Sequence, residues 1–203
     1  MLAYFLQGAT LGFSAAVTPG PFQAYLLAHT MQHGLRRTAL SAFAPLLSDG
    51  PIILIVLLVL TQAPAWLLRG LQVVGGVFLI YLAYAAFRAF RAPTGPEPLP
   101  TPSTRDSLLK ATLTNFLSPG PWLFWSVAAG PMLVRAWAEQ PLWGVSFLVG
   151  FYGVLIGALT ALIGLFATAR RGGPRVAHAL NGVAALALLL LGVYQLALGI
   201  AGR

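Results

Sequence analysis

The chain has no cysteine and only four acidic residues in a length of 203. Without thiols there is no disulfide framework and no thiolate metal site, and the redox compartment leaves no trace. Charged residues of both signs make up 8%, against about 25% in an ordinary soluble domain. Hydrophobic residues make up 58% and the mean hydropathy is +0.82. A chain so poor in charge reads as an integral membrane protein. Its net charge of +8 does not point to nucleic acid, because the basic residues are spread over short connections. Anionic lipid and the cytoplasmic bias of Arg and Lys account for them. No basic residue precedes Arg36, so a cleavable signal peptide with a basic start is not expected, and the first membrane helix is predicted from Met1 onward.

What the chain does have is apolar runs. A spanning helix takes roughly 20 mostly apolar residues, and six segments qualify: Leu2–Met31, Thr38–Leu60, Trp66–Phe90, Leu108–Val134, Leu142–Thr168 and Val176–Ile200. Pro93, Pro96, Pro98, Pro100 and Pro102 fall within Ala92–Ser107, which reads as a stiff extended linker. One membrane domain over 1–203 is expected, divided into a repeat over 1–91, the linker over 92–107 and a second repeat over 108–203. Arg36, Arg37, Arg88, Arg91, Arg105, Lys110, Arg170, Arg171 and Arg175 fall on one side of this layout, and Arg69, Arg135 and Arg203 on the other. The linker is therefore expected inside the cell and both termini outside it.

Two of the runs are interrupted in the same way. Thr18-Pro19-Gly20-Pro21 breaks the first, and Ser118-Pro119-Gly120-Pro121 breaks the fourth. Proline has no N–H for the carbonyl four residues back, and it crowds that carbonyl. The residue before it is also pushed off helical angles. Each half holds three spans, an odd number, so the second half enters the membrane inverted relative to the first. The fold expected is all-α, with six transmembrane helices in two inverted three-helix repeats and helices one and four broken at Pro-Gly-Pro. Paired breaks of this kind are the best sequence pointer to a transporter's binding site near the midplane.

Chemistry follows from the broken ends. A half-helix starting near Pro21 would offer the N–H groups of Phe22, Gln23 and Ala24, and its counterpart those of Trp122, Leu123 and Phe124, to an anionic group such as a carboxylate. The carbonyls of Ala15, Val17, Asn115 and Leu117 lose their helical donors and would accept a cation. A zwitterionic amino acid offers both charges. The alternative is a structural kink satisfied by Thr18, Ser118, Gln23 and water. Asp49 is the one acid within a predicted span, between Ser48 and Gly50 and near Pro45 and Pro51. An ionisable group at that depth is a functional candidate by default, with three competing roles: holding a substrate ammonium, carrying a coupling proton, or capping a half-helix.

The candidate substrate-binding set is thus Thr18, Pro19, Gly20, Pro21, Gln23, Asp49, Asn115, Ser118, Pro119, Gly120, Pro121 and Trp122, with Asp49 as the proton-coupling candidate. Trp125 could shape a side-chain pocket. Tyr81, Tyr84, Tyr152, Asn181 and Gln195 are weaker candidates to line a path, and His29 and His33 read as interfacial. Trp66, Trp137 and Trp143 read as belt anchors. Gly8, Gly12 and Ala16, and then Gly150, Gly153, Gly157, Ala161 and Gly164, form stripes where helices approach closely. No metal site, cofactor or catalytic cluster is expected.

The early Pro-Gly-Pro, then Gly34 with Arg36-Arg37, Asp49-Gly50, a Gly-rich third span ending in Tyr81-Leu82-Ala83-Tyr84, and Asn115-Phe116-Leu117-Ser118-Pro119 opening the second half together resemble the lysine exporter superfamily (LysE and RhtB-type exporters). The resemblance covers essentially the whole chain. It implies a secondary transporter in a bacterial inner membrane, exporting amino acids or related small solutes with a proton or cation gradient. Its partners would be the solute, a coupling ion and lipid, with a homo-oligomer left open. Where many exporters of this group carry Asn-Pro-Lys, this chain has Ser118-Pro119-Gly120. The competing readings are a non-transporting membrane scaffold or accessory subunit, and a metal-cation exporter of the same superfamily. An enzyme is not expected.

Overall fold

The computed structural model describes residues 1–58, 65–91 and 103–201, and every described element is helical. The order is α1 (Leu2–Val17), α2 (Pro21–His33), α3 (Leu35–Thr38), a 3-10 turn (Ala39–Phe43), α4 (Ala44–Leu58), α5 (Ala65–Arg91), α6 (Thr104–Phe116), α7 (Pro119–Phe124), a π-helical turn (Trp125–Ala129), α8 (Gly130–Glu139), α9 (Pro141–Arg170) and α10 (Pro174–Ala201). Among the described residues, four stretches are long and apolar enough to cross a membrane: Leu35–Val56, Arg69–Arg88, Pro141–Arg170 and His178–Ala201. Leu2–Val17 is a shorter apolar helix. This is an all-α, multi-pass membrane protein.

Local chemistry explains where the elements stop. α1 ends at Val17, where Thr18 closes it by giving both its N–H and its hydroxyl to the Ser14 carbonyl, at 3.0 and 2.6 Å. α2 then starts with Pro21 in its first turn, the position where a missing N–H costs nothing. Gly34 ends α2 with φ of +78°, a left-handed angle that glycine adopts without a Cβ penalty. α6 starts earlier than the linker expected over 92–107 allows. Ser103 accepts from the Asp106 N–H and Asp106 accepts from the Ser103 N–H, at 3.1 and 3.2 Å, a reciprocal capping box. Residues 104–107 therefore belong to a helix, and the five linker prolines lie outside the described residues.

The packing separates the two glycine stripes. A Cβ on Gly8 or Gly12 would collide with the carbonyls of Phe147 and Phe151, and one on Gly150 with that of Phe5. α1 and α9 therefore lie backbone to backbone. The rest of the α9 stripe does not follow: Gly153, Gly157 and Gly164 have nothing within 4 Å of the Cβ position. They face out of the bundle. α5 and α10 make a second close pair through Gly76 and Gly192, each of which would place a Cβ about 3 Å or less from the other's carbonyl. Between these pairs sits a core that includes Trp125, Phe147, Phe151, Leu159 and Leu188. Tyr81 and Tyr84 are exposed on the outer surface, so neither lines an internal path.

Candidate functional site

The α1–α2 junction, the α6–α7 junction and α4 meet around one cavity of about 240 Å³. That is below the ~300–1,000 Å³ usual for drug-sized ligands, and suits a compact solute. Its wall includes Thr18, Pro19, Gly20, Pro21 and Gln23 from the first interruption, Asn115, Ser118, Gly120 and Pro121 from the second, and Asp49 from α4. Ten of the twelve expected residues thus converge, although about a hundred positions of sequence separate the two interruptions. Pro119 and Trp122 do not line the cavity. Trp122 is 2% exposed, sits edge-on to Phe116 and donates its indole N–H to the Phe116 carbonyl at 2.8 Å. It ties the break together from behind.

The broken ends differ from the sequence expectation in what they leave free. In α2 the Ala24 N–H reaches the Gly20 carbonyl at 3.0 Å, so Phe22 and Gln23 are the first-turn residues whose backbone N–H groups have no helical acceptor. The second helix restarts one proline earlier than expected, at Pro119, with Ser118 as its cap residue. Of its first three positions only Gly120 has an N–H, because the other two are prolines, and Trp122, Leu123 and Phe124 already fall within reach of helical acceptors. The positive helix end that can hold an anion is therefore that of α2.

Two of the four released carbonyls are claimed internally. Gln23 donates its side-chain amide to the Ala15 and Ala16 carbonyls, at 3.2 and 3.1 Å. Ser118 gives its hydroxyl to Thr114 at 2.6 Å and its N–H to Asn115 at 3.2 Å. These bonds satisfy groups that hydrocarbon cannot, and they take up part of the acceptor capacity of the Ala15 and Asn115 carbonyls. Val17 and Leu117 keep the carbonyls that Pro21 and Pro121 deprive of a helical donor.

Asp49 is 4% exposed on the cavity wall, and other helices hold it. Asn115 donates one amide proton to its Oδ1 at 3.0 Å and another to the Ser48 hydroxyl at 2.7 Å. Trp125 and Tyr152 lie close enough to the carboxyl group to interact with it. Ser48 lies 3.5 Å from Oδ1 but only 3.1 Å from the Ala44 carbonyl, which takes its single proton. Trp125 opens the π-helical turn, where the wider backbone re-aims side chains and which often marks functional sites. Phe124, Phe151, Leu155 and Leu159 supply an apolar wall. Tyr152 and Trp125 were visible in sequence only as general pocket candidates. Their approach to Asp49 spans more than seventy residues, and no local pattern announces it.

A second polar cluster lies at the far end of α2. His29 is buried, with Nδ1 2.9 Å from the Thr38 hydroxyl and Nε2 2.9 Å from the Ser107 hydroxyl. Tyr25 donates to the Ser107 carbonyl at 2.9 Å. His29 ties α2 to α3 and α6. Among the described residues no group of three or more His, Cys, Asp or Glu side chains could hold a metal ion.

Comparison with protein families matches the LysE type translocator model over residues 13–199. No curated protein and no solved structure matches the chain.

Proposed function

The chain belongs to the LysE type translocator family, and on that premise we propose that it is a secondary transporter exporting amino acids or related small solutes across a bacterial inner membrane, driven by a proton or cation gradient. Six spans carry it as one membrane domain of two inverted repeats. α1 with α2 forms the first span and α6 through α8 the fourth, each interrupted at its Pro-Gly-Pro. The bias of Arg and Lys toward one side supports both termini lying outside the cell and the proline-rich linker within.

The observation that carries this reading is the single cavity bordered by both interruptions and Asp49. In the bound state the solute's carboxylate lies at the α2 N-terminus, against the Phe22 and Gln23 N–H groups, where the helix dipole favours negative charge. Asp49 carries the coupling proton: of the acids in the described residues it is the one on the cavity wall. Its neighbours Asn115, Trp125 and Tyr152 come from three other elements, so a change in its charge is felt across the whole site.

The test is uptake of amino acids into inside-out proteoliposomes with an imposed proton or sodium gradient. Gradient-dependent accumulation of at least one amino acid is expected. A panel in which none accumulates above protein-free vesicles would sink the transport claim and favour a scaffold.

A further inference from the structure

The acceptors in the cavity are not equivalent. Asp49 looks like the natural seat for a solute's ammonium, but Asn115 already donates to its Oδ1 at 3.0 Å, with the Ser48 hydroxyl 3.5 Å from the same oxygen. One of its two oxygens is thus already engaged by the protein itself. Gln195, on α10, is the opposite case. It lines the cavity, is 8% exposed, and its Oε1 is buried with no hydrogen-bond partner. An unpaired buried acceptor of this kind costs stability and calls for a reason.

The reason lies at Gly75. A Cβ there would meet the Leu117 carbonyl oxygen and, at 3.1 Å, Gln195 Oε1. Leu117 is the residue whose helical donor Pro121 removes, so two carbonyl oxygens border one glycine with no proton for either. The last torsion of a glutamine is broad and roughly two-fold. Half a turn exchanges the amide's ends, putting its N–H2 beside Gly75, where the Leu117 carbonyl also lies, and its oxygen where the N–H2 was.

We propose that Gln195, turned in this way, is the acceptor for the solute's ammonium group and a determinant of specificity. This rests on the transport reading above. Asp49 is then kept for coupling rather than for holding substrate, and the two tasks fall to different side chains. The substrate class follows from the remaining wall. Phe124, Phe151, Leu155 and Leu159 surround the side-chain space, and among the described residues no second acid lines it. Glu139 is bonded to Tyr4 and Asp106 to Ser103, both elsewhere. A neutral amino acid with an apolar side chain fits; a cationic side chain would be desolvated without a partner.

Binding of L-leucine, L-lysine and 4-methylpentanoate (the leucine skeleton without its ammonium) to the purified full-length protein tests the proposal, with Gln195→Met and Gln195→Glu alongside the natural chain. The natural protein should bind L-leucine at least tenfold more tightly than L-lysine. Gln195→Met should weaken L-leucine about ten- to a hundredfold, the usual worth of a hydrogen bond to a charged group, and leave 4-methylpentanoate within about twofold. Gln195→Glu, which keeps an acceptor, should retain L-leucine and lose 4-methylpentanoate. Should Gln195→Met fail to fold, loss of L-leucine by Gln195→Glu would by itself overturn the assignment. Equal losses on both ligands, or an unchanged affinity for L-leucine in Gln195→Met, would overturn it too while leaving the transport reading intact. Tight L-lysine binding would overturn the substrate class. Failure of the natural protein to bind any amino acid would fell the transport reading itself.

Discussion

Asn115 shows how much one side chain carries here. Its two amide protons bind Ser48 and Asp49, joining α6 to α4 beside the second interruption. Asn115→Leu keeps the volume roughly but strips the donors, and leaving a buried acceptor unpaired costs about 1–3 kcal/mol. A lowered thermal midpoint in detergent is the expected reading, and an unchanged midpoint would show that the bond contributes nothing. Asp49 itself stood out in the sequence because a lone acid in an apolar run is costly. Its environment did not stand out, since Trp125 and Tyr152 reach it from distant parts of the chain. Gln195 was equally hard to weigh, because a glutamine in an apolar helix looks the same in sequence whether its amide is satisfied or orphaned.

Among the elements, glycine positions divide by what faces them. Gly8, Gly12 and Gly150 lie against backbone of the opposite helix, and Gly157 lies against nothing. Gly12→Val should cost roughly 1–3 kcal/mol or more, since overpacking forces backbone apart, whereas Gly157→Ala should be neutral or stabilising by up to about 1 kcal/mol through helix propensity. Thermal stability of the two variants side by side decides it. The spacing of small residues correctly marked the α1 face but not where the contact ends, because α1 stops at Val17 while α9 continues to Arg170. The start of α6 offers a pH test. Its Asp106 carboxyl is held below the ordinary carboxylate range, first by the Ser103 hydrogen bonds and then by Lys110 and Arg105. A depressed folded value means the stabilisation is complete above the unfolded value of about 3.8 and is lost as pH falls through the folded one. Asp106→Ala should abolish that acid-side component of the α6 melting, read by hydrogen exchange at Ser107. The Ser-x-x-Asp signature was in the sequence, but the run of prolines before it extended the linker reading over it.

For the whole molecule, the helical class could be read from hydropathy alone. Which groups the interruptions leave free could not, because Gln23, Ser118 and Trp122 fold back on the broken ends only in three dimensions. In the proposed division of labour, α2's N-terminus and Gln195 hold the solute while Asp49 couples it to the gradient. Solute counterflow separates these tasks, because exchange of labelled for unlabelled L-leucine across proteoliposomes needs binding and alternation but no net proton movement. Asp49→Asn should keep counterflow and lose gradient-driven accumulation. Accumulation that survives in Asp49→Asn, or counterflow that vanishes together with it, would contradict the account.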